Sequence, residues 1–413
     1  MEDFTNSECS PCIPSDAFSG TCDAEQLSSP DWRFPTVACR VWPRMLLKVT
    51  DQQRTAVRPL TEEPELPLLA LGAFVPSWRP DVERPVALTG GYSHGVYALG
   101  DKHVLRFAVP ERAERLRHET LTLNDLGARP DLAGIADRLP KVVASFDAGK
   151  ATDGSNRSKW RGWHGLIINR FPGSNAFRAW LDADDVTRLG WVREAVRILR
   201  SVHGFPEGLH SGRGPLLPAD RYTCGWYGTR IQVAGTDWRE CHRAYLSELG
   251  ALLAAGVKVG HRNLIEASIA ACVSRLDVMT TVWGPRPGHG DFHLHNIIVD
   301  GASVTGLIDW EWGGLTEPDA DLTHMLRWSL FPAHPADEDL EDLVSAEDFV
   351  GVPSAIWSAY PEAASTKGIE DRIFVYLVEH DLHQLSQHPE SLQAIIRLEA
   401  WLGGAHLSLT PRG

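Results

Sequence analysis

No stretch of this chain stays apolar long enough to cross a bilayer. The longest such run lies near Leu66 to Val75, well short of the ~20 residues a spanning helix needs. The N-terminus, MEDFTNSECSPC, has neither a basic start nor an apolar core, so it does not read as a secretory signal. A cytoplasmic protein is the expectation. Cysteines number seven, an odd count spread over 413 residues, which argues against a disulfide framework. Cys9 and Cys12 form a CxxC, but Cys22 and Cys39 follow at irregular spacing and no second CxxC appears. A reduced, loose tail is expected there rather than a zinc site. Basic stripes are missing too. Forty Lys and Arg stand against 54 Asp and Glu, a net charge of −14. That balance disfavours nucleic acids and anionic membranes as partners, and it permits a cationic ligand. No internal repeat is visible.

What is present is an ordinary soluble composition, 43% hydrophobic and 23% charged, in a chain long enough for two or three packing units. Residues 1–45, rich in Ser, Pro, Cys and Asp, are expected to form a disordered tail, with Met45 an alternative start. Short β-like runs begin near Pro85: Val86 to Gly90, Gly95 to Leu99 and His103 to Val109. A helical stretch from Glu111 to Gly127 follows, then strands at Lys141 to Asp147 and Gly165 to Phe171. The pattern over residues 86–171 is β-β-β-α-β-β. After Pro172-Gly173 the spacing turns helical, with Val186, Leu189, Val192, Val196 and Leu199 at three- and four-residue steps. This divides the chain into a sheet-rich part, 46–172 with its core from about 86, and a mainly helical part, 173–413.

The stretch GHGDFHLHN, Gly288 to Asn296, packs one aspartate, one asparagine and three histidines into nine residues. His289, Asp291, His293 and His295 alternate, so in a strand they would share a face, as a metal nest requires. A zinc hydrolase usually adds ligands from a partner motif such as HExxH, and none appears. The other reading rests on Asp291 and Asn296, five apart, the D-x-x-x-x-N spacing of kinase catalytic loops. Thirteen residues beyond Asn296, at the end of a predicted β-hairpin, stands Asp309 in GLIDWEW. Phosphoryl transfer is mainly positioning and charge neutralisation. It needs two oxygen-bearing arms for a metal and a third carboxylate for the acceptor.

HGDFHLHNIIVD followed by GLIDWEWGG resembles the aminoglycoside phosphotransferase and choline kinase group of small-molecule kinases. The resemblance implies an α+β, bilobal protein-kinase-like fold, with a small sheet-rich N-lobe for the nucleotide and a large mainly helical C-lobe for the acceptor. It implies that Asp291 serves the acceptor hydroxyl, that Asn296 and Asp309 hold Mg2+, and that His289 and Asp321, in EPDADLTHM, support the loop. His293 and His295 would then be loop residues rather than ligands. Gly290 stands where protein kinases have arginine, Trp310 where they have phenylalanine, and no APE motif follows; these departures argue against a protein kinase. On the nucleotide side the family uses a basic strand residue held by a helix glutamate. Arg106 and Glu119 fill these roles, against the competitors Lys102, Glu111 and Glu114. Gly90, Gly91, Gly95 and Ser93 form an incomplete glycine loop, and backbone groups near Asn169 to Phe171 would meet the purine. Glu311 and Glu317 follow the metal aspartate and are offered as acceptor-binding carboxylates. The expected activity is O-phosphorylation of a small cationic molecule, such as an aminoglycoside-like antibiotic or amino sugar, with ATP or GTP as donor. A choline-like or other metabolite kinase, a silent pseudokinase and a zinc hydrolase are the alternatives.

Overall fold

In the computed structural model the described residues are 85–88, 94–147, 162–204, 222–224, 233–256, 261–279, 283–333, 340 and 342–411. All fall within one compact unit, Val49–Gly413; the other, Met1–Lys48, lies outside the described residues. The expected tail with its CxxC, the glycine-loop residues Gly90, Gly91 and Ser93, and the acidic run from Asp337 to Asp339 are likewise outside them.

Five strands make the first sheet: β1 (Pro85–Ala87), β2 (Gly95–Leu99), β3 (His103–Ala108), β4 (Val142–Asp147) and β5 (His164–Asn169). Their order is β1-β2-β3-β5-β4, and every pairing is antiparallel. Side chains alternate across a strand, and the sequence uses that alternation to separate two cores. Tyr97, Leu99, Leu105, Phe107, Phe146 and Ile167 pack together on one face. Leu166 and Ile168 point the other way, into the core that includes Leu116, Leu123 and Leu126 of helix α1 (Ala113–Gly127). Arg106 sits between Leu105 and Phe107, so it too is turned to the helix face, paired in register with Leu166.

The chain leaves the sheet through Phe171-Pro172-Gly173. Gly173 has φ +101°, and a Cβ there would stand 1.9 Å from the Val299 carbonyl oxygen. Glycine is the residue that permits both the left-handed turn and this close approach. Immediately after it β6 (Ser174–Asn175) pairs with the strand Ile297–Asp300, so the crossing point is tied to the segment that follows Asn296.

The remainder is mainly helical: α2 (Ala176–Trp180), α3 (Asp185–His203), α4 (Trp238–Gly256), α5 (Arg262–Leu276), α6 (Pro318–Asp321), α7 (Thr323–Leu330), α8 (Val352–Ala359), α9 (Pro361–Ala364), α10 (Ile369–Gln387) and α11 (Leu392–Leu402). Three short antiparallel sheets are set among them. β7 (Tyr222–Cys224) pairs with β8 (Val233–Gly235), β9 (Arg286–Gly288) pairs with β12 (Gly314–Thr316), and β10 (Ile297–Asp300) lies between β11 (Ser303–Leu307) and β6. Helix α3 begins where Asp184 accepts a hydrogen bond from the Thr187 amide, a capping aspartate. Its buried stripe is Val192, Ala195, Val196, Leu199 and Val202. Val186, assigned to the apolar face by its spacing, is 80% exposed: it lies in the first turn, beyond the packing surface. Helix α10 is buried along nearly its whole length, the behaviour of a helix surrounded by others. A sheet-rich N-terminal region followed by a mainly helical C-terminal region is the α+β architecture expected. No described helix is long and apolar enough to cross a membrane.

Candidate active site

The pairing of β9 with β12 gathers residues 289–313 into one excursion that carries both halves of the sequence motif. Its first turn is at Gly290, with φ +78°. A Cβ at this position would meet the Trp312 carbonyl oxygen at 2.1 Å, so the arginine of protein kinases has no room here. Asp321, from the C-terminal end of α6, holds the turn from behind. Its Oδ2 accepts the His289 amide at 2.6 Å and its Oδ1 accepts the Gly290 amide at 2.7 Å. His203, at the end of α3, reaches the same carboxylate through Nε2 at 3.0 Å. Burial alone would raise the Asp321 carboxyl. The His203 imidazole and then His289 hold it below its usual value, so it is a carboxylate accepting charge-assisted bonds. His289 bonds through Nε2 to the Ile308 carbonyl at 2.9 Å, and its ring lies 4.5 Å from that of Trp310.

Asp291 follows the turn with its side chain 23% exposed. Oδ1 lies 2.8 Å from His324 Nδ1, and Oδ2 lies 3.0 Å from His293 Nε2. Burial would raise this carboxyl as well, but His293 and then His324 hold it well below the usual carboxylate range. Asn296 Nδ2 donates to the Asp291 carbonyl at 2.9 Å and to its Oδ2 at 3.2 Å. Two acceptors on that atom fix the amide's orientation and turn its oxygen away from Asp291. The Asn296 carbonyl in turn accepts the Ile308 amide at 2.9 Å, which couples the loop to the residue preceding Asp309. Asp309 itself has φ 68°. The left-handed region is open to aspartate far more readily than to a branched side chain. Carboxylate and amide oxygens are hard donors, the chemistry Mg2+ takes, and this pair fits the ion on that ground.

His293 and His295 also pack against aromatic rings. The His293 ring stacks on Trp328 at 3.9 Å and 18°. His295 meets Trp328 and Phe177 edge-on at 5.3 and 4.6 Å. Among the described residues no group of three or more His, Cys, Asp or Glu is arranged to hold a metal ion.

Arg106 joins the two regions. Its Nη1 bonds Glu119 Oε1 at 2.5 Å and its Nη2 bonds Asp309 Oδ1 at 2.9 Å. Glu119 also accepts the Trp310 amide at 3.2 Å. Lys102 is exposed in the turn, and Glu114 is spent on Arg117, so geometry separates Arg106 and Glu119 from their competitors. The side chain of Asn169 accepts the Lys141 amide at 2.5 Å, fixing β4 to β5. Phe171 lies against Gly306, where a Cβ would be 2.5 Å from its ring. Both residues are structural parts of the joint, and any purine contact there falls to the backbone.

Two expectations are corrected. Glu311 and Glu317 were offered as acceptor-binding carboxylates, yet they are 2% and 1% exposed. Glu311 lies 3.1 Å from His94 Nδ1 and 3.7 Å from Arg106 Nη2. Burial, with the nearby charge of Asp309, pushes its carboxyl up, and burial with Arg106 pushes the His94 imidazole down. Both shifts favour the neutral forms of these two buried groups. Glu317 accepts from Arg372 Nη2 at 3.1 Å and from the Trp283 amide at 3.2 Å. Asp319 binds the same buried guanidinium, which stacks 4.3 Å from the Trp238 ring. A carboxylate with a buried cation to balance does structural work. Sequence reading also passed over His324, His203, Arg372 and His94. Only His324 carried a local signal, three residues beyond Asp321.

This geometry has relatives. The family model described as the phosphotransferase enzyme family matches residues 85–355. The chain belongs to that family. It is a small-molecule phosphotransferase with a hydroxyl group as acceptor. No curated protein matches the chain. Among solved structures, it is similar to the GDP and kanamycin complex of APH(2")-IIia, at 12% identity and a TM-score of 0.54, covering 82% of this chain and 99% of that one. A thermostable mutant of the aminoglycoside phosphotransferase APH(4)-Ia, in complex with ADP and hygromycin B, is similar at 17% identity and a TM-score of 0.53, covering 83% and 99%. Likeness at this identity is likeness of fold, which is protein-kinase-like.

Two outcomes follow for this phosphotransferase. Gly290→Ala must place a side chain in left-handed backbone and against a carbonyl, at a cost of about 2 kcal/mol or more; a urea midpoint equal to wild type would contradict the turn geometry. Glu317→Gln removes one charge from the buried Arg372 cluster and should lower stability by about 1–3 kcal/mol while leaving the acceptor KM unmoved. A rise in KM at unchanged Tm would return Glu317 to the acceptor site.

Proposed function

We propose that this phosphotransferase moves the γ-phosphoryl group of ATP, with Mg2+, to a hydroxyl of a small cationic molecule, an aminoglycoside-like antibiotic or an amino sugar. The observation that carries the reading is the convergence of Asp291, Asn296, Asp309 and the Arg106–Glu119 pair through the bonds described above. Magnesium, when bound, would neutralise charge on the transferring phosphates, and Asn296 and Asp309 are the residues to hold it. Arg106 supplies a fixed cation for the other phosphates, with Glu119 setting its position. Asp291, ionised well below neutral pH, faces the acceptor and takes its proton. Residues 46–172 would carry the nucleotide and 173–413 the acceptor.

A cationic acceptor is supported by the net charge of −14, and by the kanamycin and hygromycin B bound in the related structures. Both are amine-bearing polyols. It no longer draws support from Glu311 and Glu317. GTP is a second donor to consider, since GDP occupies one of those structures.

The test is a panel of amine-bearing, neutral and anionic polyols incubated with labelled ATP or GTP and Mg2+. A labelled phosphate ester on an amine-bearing member is the expected product, and exclusive use of neutral or anionic acceptors would overturn the cationic reading. Asp291→Asn should retain nucleotide binding and lose roughly 10²–10⁴-fold in kcat; turnover near wild type removes Asp291 from its role. Asp309→Ala should remain folded and lose the Mg2+-dependent part of nucleotide affinity, read by titration with and without the metal. Equal affinities in that comparison would move the metal elsewhere.

A further inference from the structure

The two oxygens of Asp291 have unequal company. Oδ2 lies 3.0 Å from His293 Nε2 and accepts from Asn296 Nδ2 at 3.2 Å. Oδ1 meets His324 Nδ1, at 2.8 Å, as its one partner among the described residues. An ionised carboxylate offers about two acceptor sites per oxygen. Oδ2 is therefore filled, and Oδ1 keeps one site. We propose that the acceptor hydroxyl bonds this remaining site of Oδ1, and that His324 is the positioning residue that holds it in place. The inference rests on the proposed transfer with Asp291 as base.

His324 is well placed for the role. It lies in the first turn of α7, three residues after Asp321. The same short segment thus fixes the catalytic loop twice, through backbone amides at 289 and 290 and through the side chain at 291. The imidazole is 13% exposed. His380, from α10, stands edge-on to it at 4.7 Å, and His293 lies parallel at 6.5 Å. Arg327, one turn on along α7, adds a positive charge nearby. Burial pushes the His324 imidazole down, so it is neutral, and its Nδ1–H is a single directed donor. In the transfer, the acceptor oxygen bonds the γ-phosphorus. The bond from phosphorus to the β,γ-bridging oxygen breaks, and its electron pair leaves on the nucleoside diphosphate. The hydroxyl proton passes to Oδ1. A carboxylate free to rotate would present Oδ1 in that direction only part of the time. Misplacement on the 1 Å scale costs up to about 10²-fold.

The test needs no identified acceptor. Labelled ATP with Mg2+ is incubated with the full chain, water acts as the hydroxyl, and phosphate release is followed. His324→Phe keeps a ring and loses the donor; His324→Asn keeps an amide donor close to the position of Nδ1. His324→Ala is a second donorless variant, with thermal midpoints measured for all. The expected result is a 10- to 100-fold fall in kcat for the folded donorless variants with the ATP KM within twofold. His324→Asn should recover to within about threefold of wild type, and His324→Phe should have no further effect in an Asp291→Asn background. Wild-type kcat in either donorless variant, or an equal loss in His324→Asn, overturns the role of His324. Failure of the underlying reading looks different: the wild-type chain releases no phosphate, or Asp291→Asn proceeds at the wild-type rate.

Discussion

One buried carboxylate, Asp321, holds the turn on which the site depends. The chain must reverse at Gly290 with its backbone pressed against the Trp312 carbonyl, and two consecutive amides there have no strand partner. An unpaired buried amide costs about as much as a lost hydrogen bond. Asp321 takes both, and His203 from the far end of a long helix keeps the carboxylate ionised and oriented. Tyr360 lies beyond, 3.2 Å from His203 Nδ1. The loop that carries Asp291 is therefore anchored to α3 and to the segment after α8.

A second constraint runs through Arg106. The guanidinium is 7% exposed, and burying an unpaired charge is prohibitive. Glu119 and Asp309 come from a helix and a loop far apart in the chain, and each needs the cation as much as it needs them. Sheet, helix and the Asp309 loop are thus bound to one charge. That arrangement makes the sheet-rich and the mainly helical regions depend on the same buried cation.

The parts legible in the sequence are those set by local spacing. The alternation around Arg106 puts it on the helix face by parity alone. The five-residue step from Asp291 to Asn296 and the hairpin leading to Asp309 follow from turn and strand signals. The first sheet was readable for the same reason. What was not legible depends on side chains meeting across long stretches of chain. Nothing local says that Glu317 turns inward to Arg372, 55 residues on, or that His203 bonds an aspartate 118 residues away. Acidic residues beside a metal loop look like a rim until the buried arginine that claims them is seen. The alternation of the histidines allowed ligands sharing a strand face, a reading set aside for want of a partner motif. The chain there makes a turn and then a single 3-10 turn, Leu294–Asn296, so the rings splay into different aromatic contacts.

Those contacts extend the reach of the site into the core. From Asp291 the path runs to His293, stacked on Trp328, whose ring also meets His295. His295 meets Phe177, and Phe177 stacks on Phe349. Phe349 lies 4.8 Å from the fully buried Trp180 in a nearly parallel stack. Interiors packed at crystal-like density transmit displacement rather than absorb it. An aromatic wall also keeps water from one side of the carboxylate, and electrostatic interactions strengthen as water leaves. The aromatic layer packed beneath the loop is therefore also part of the environment of Asp291, through the His293 ring that lies 3.0 Å from its carboxylate and stacks on Trp328.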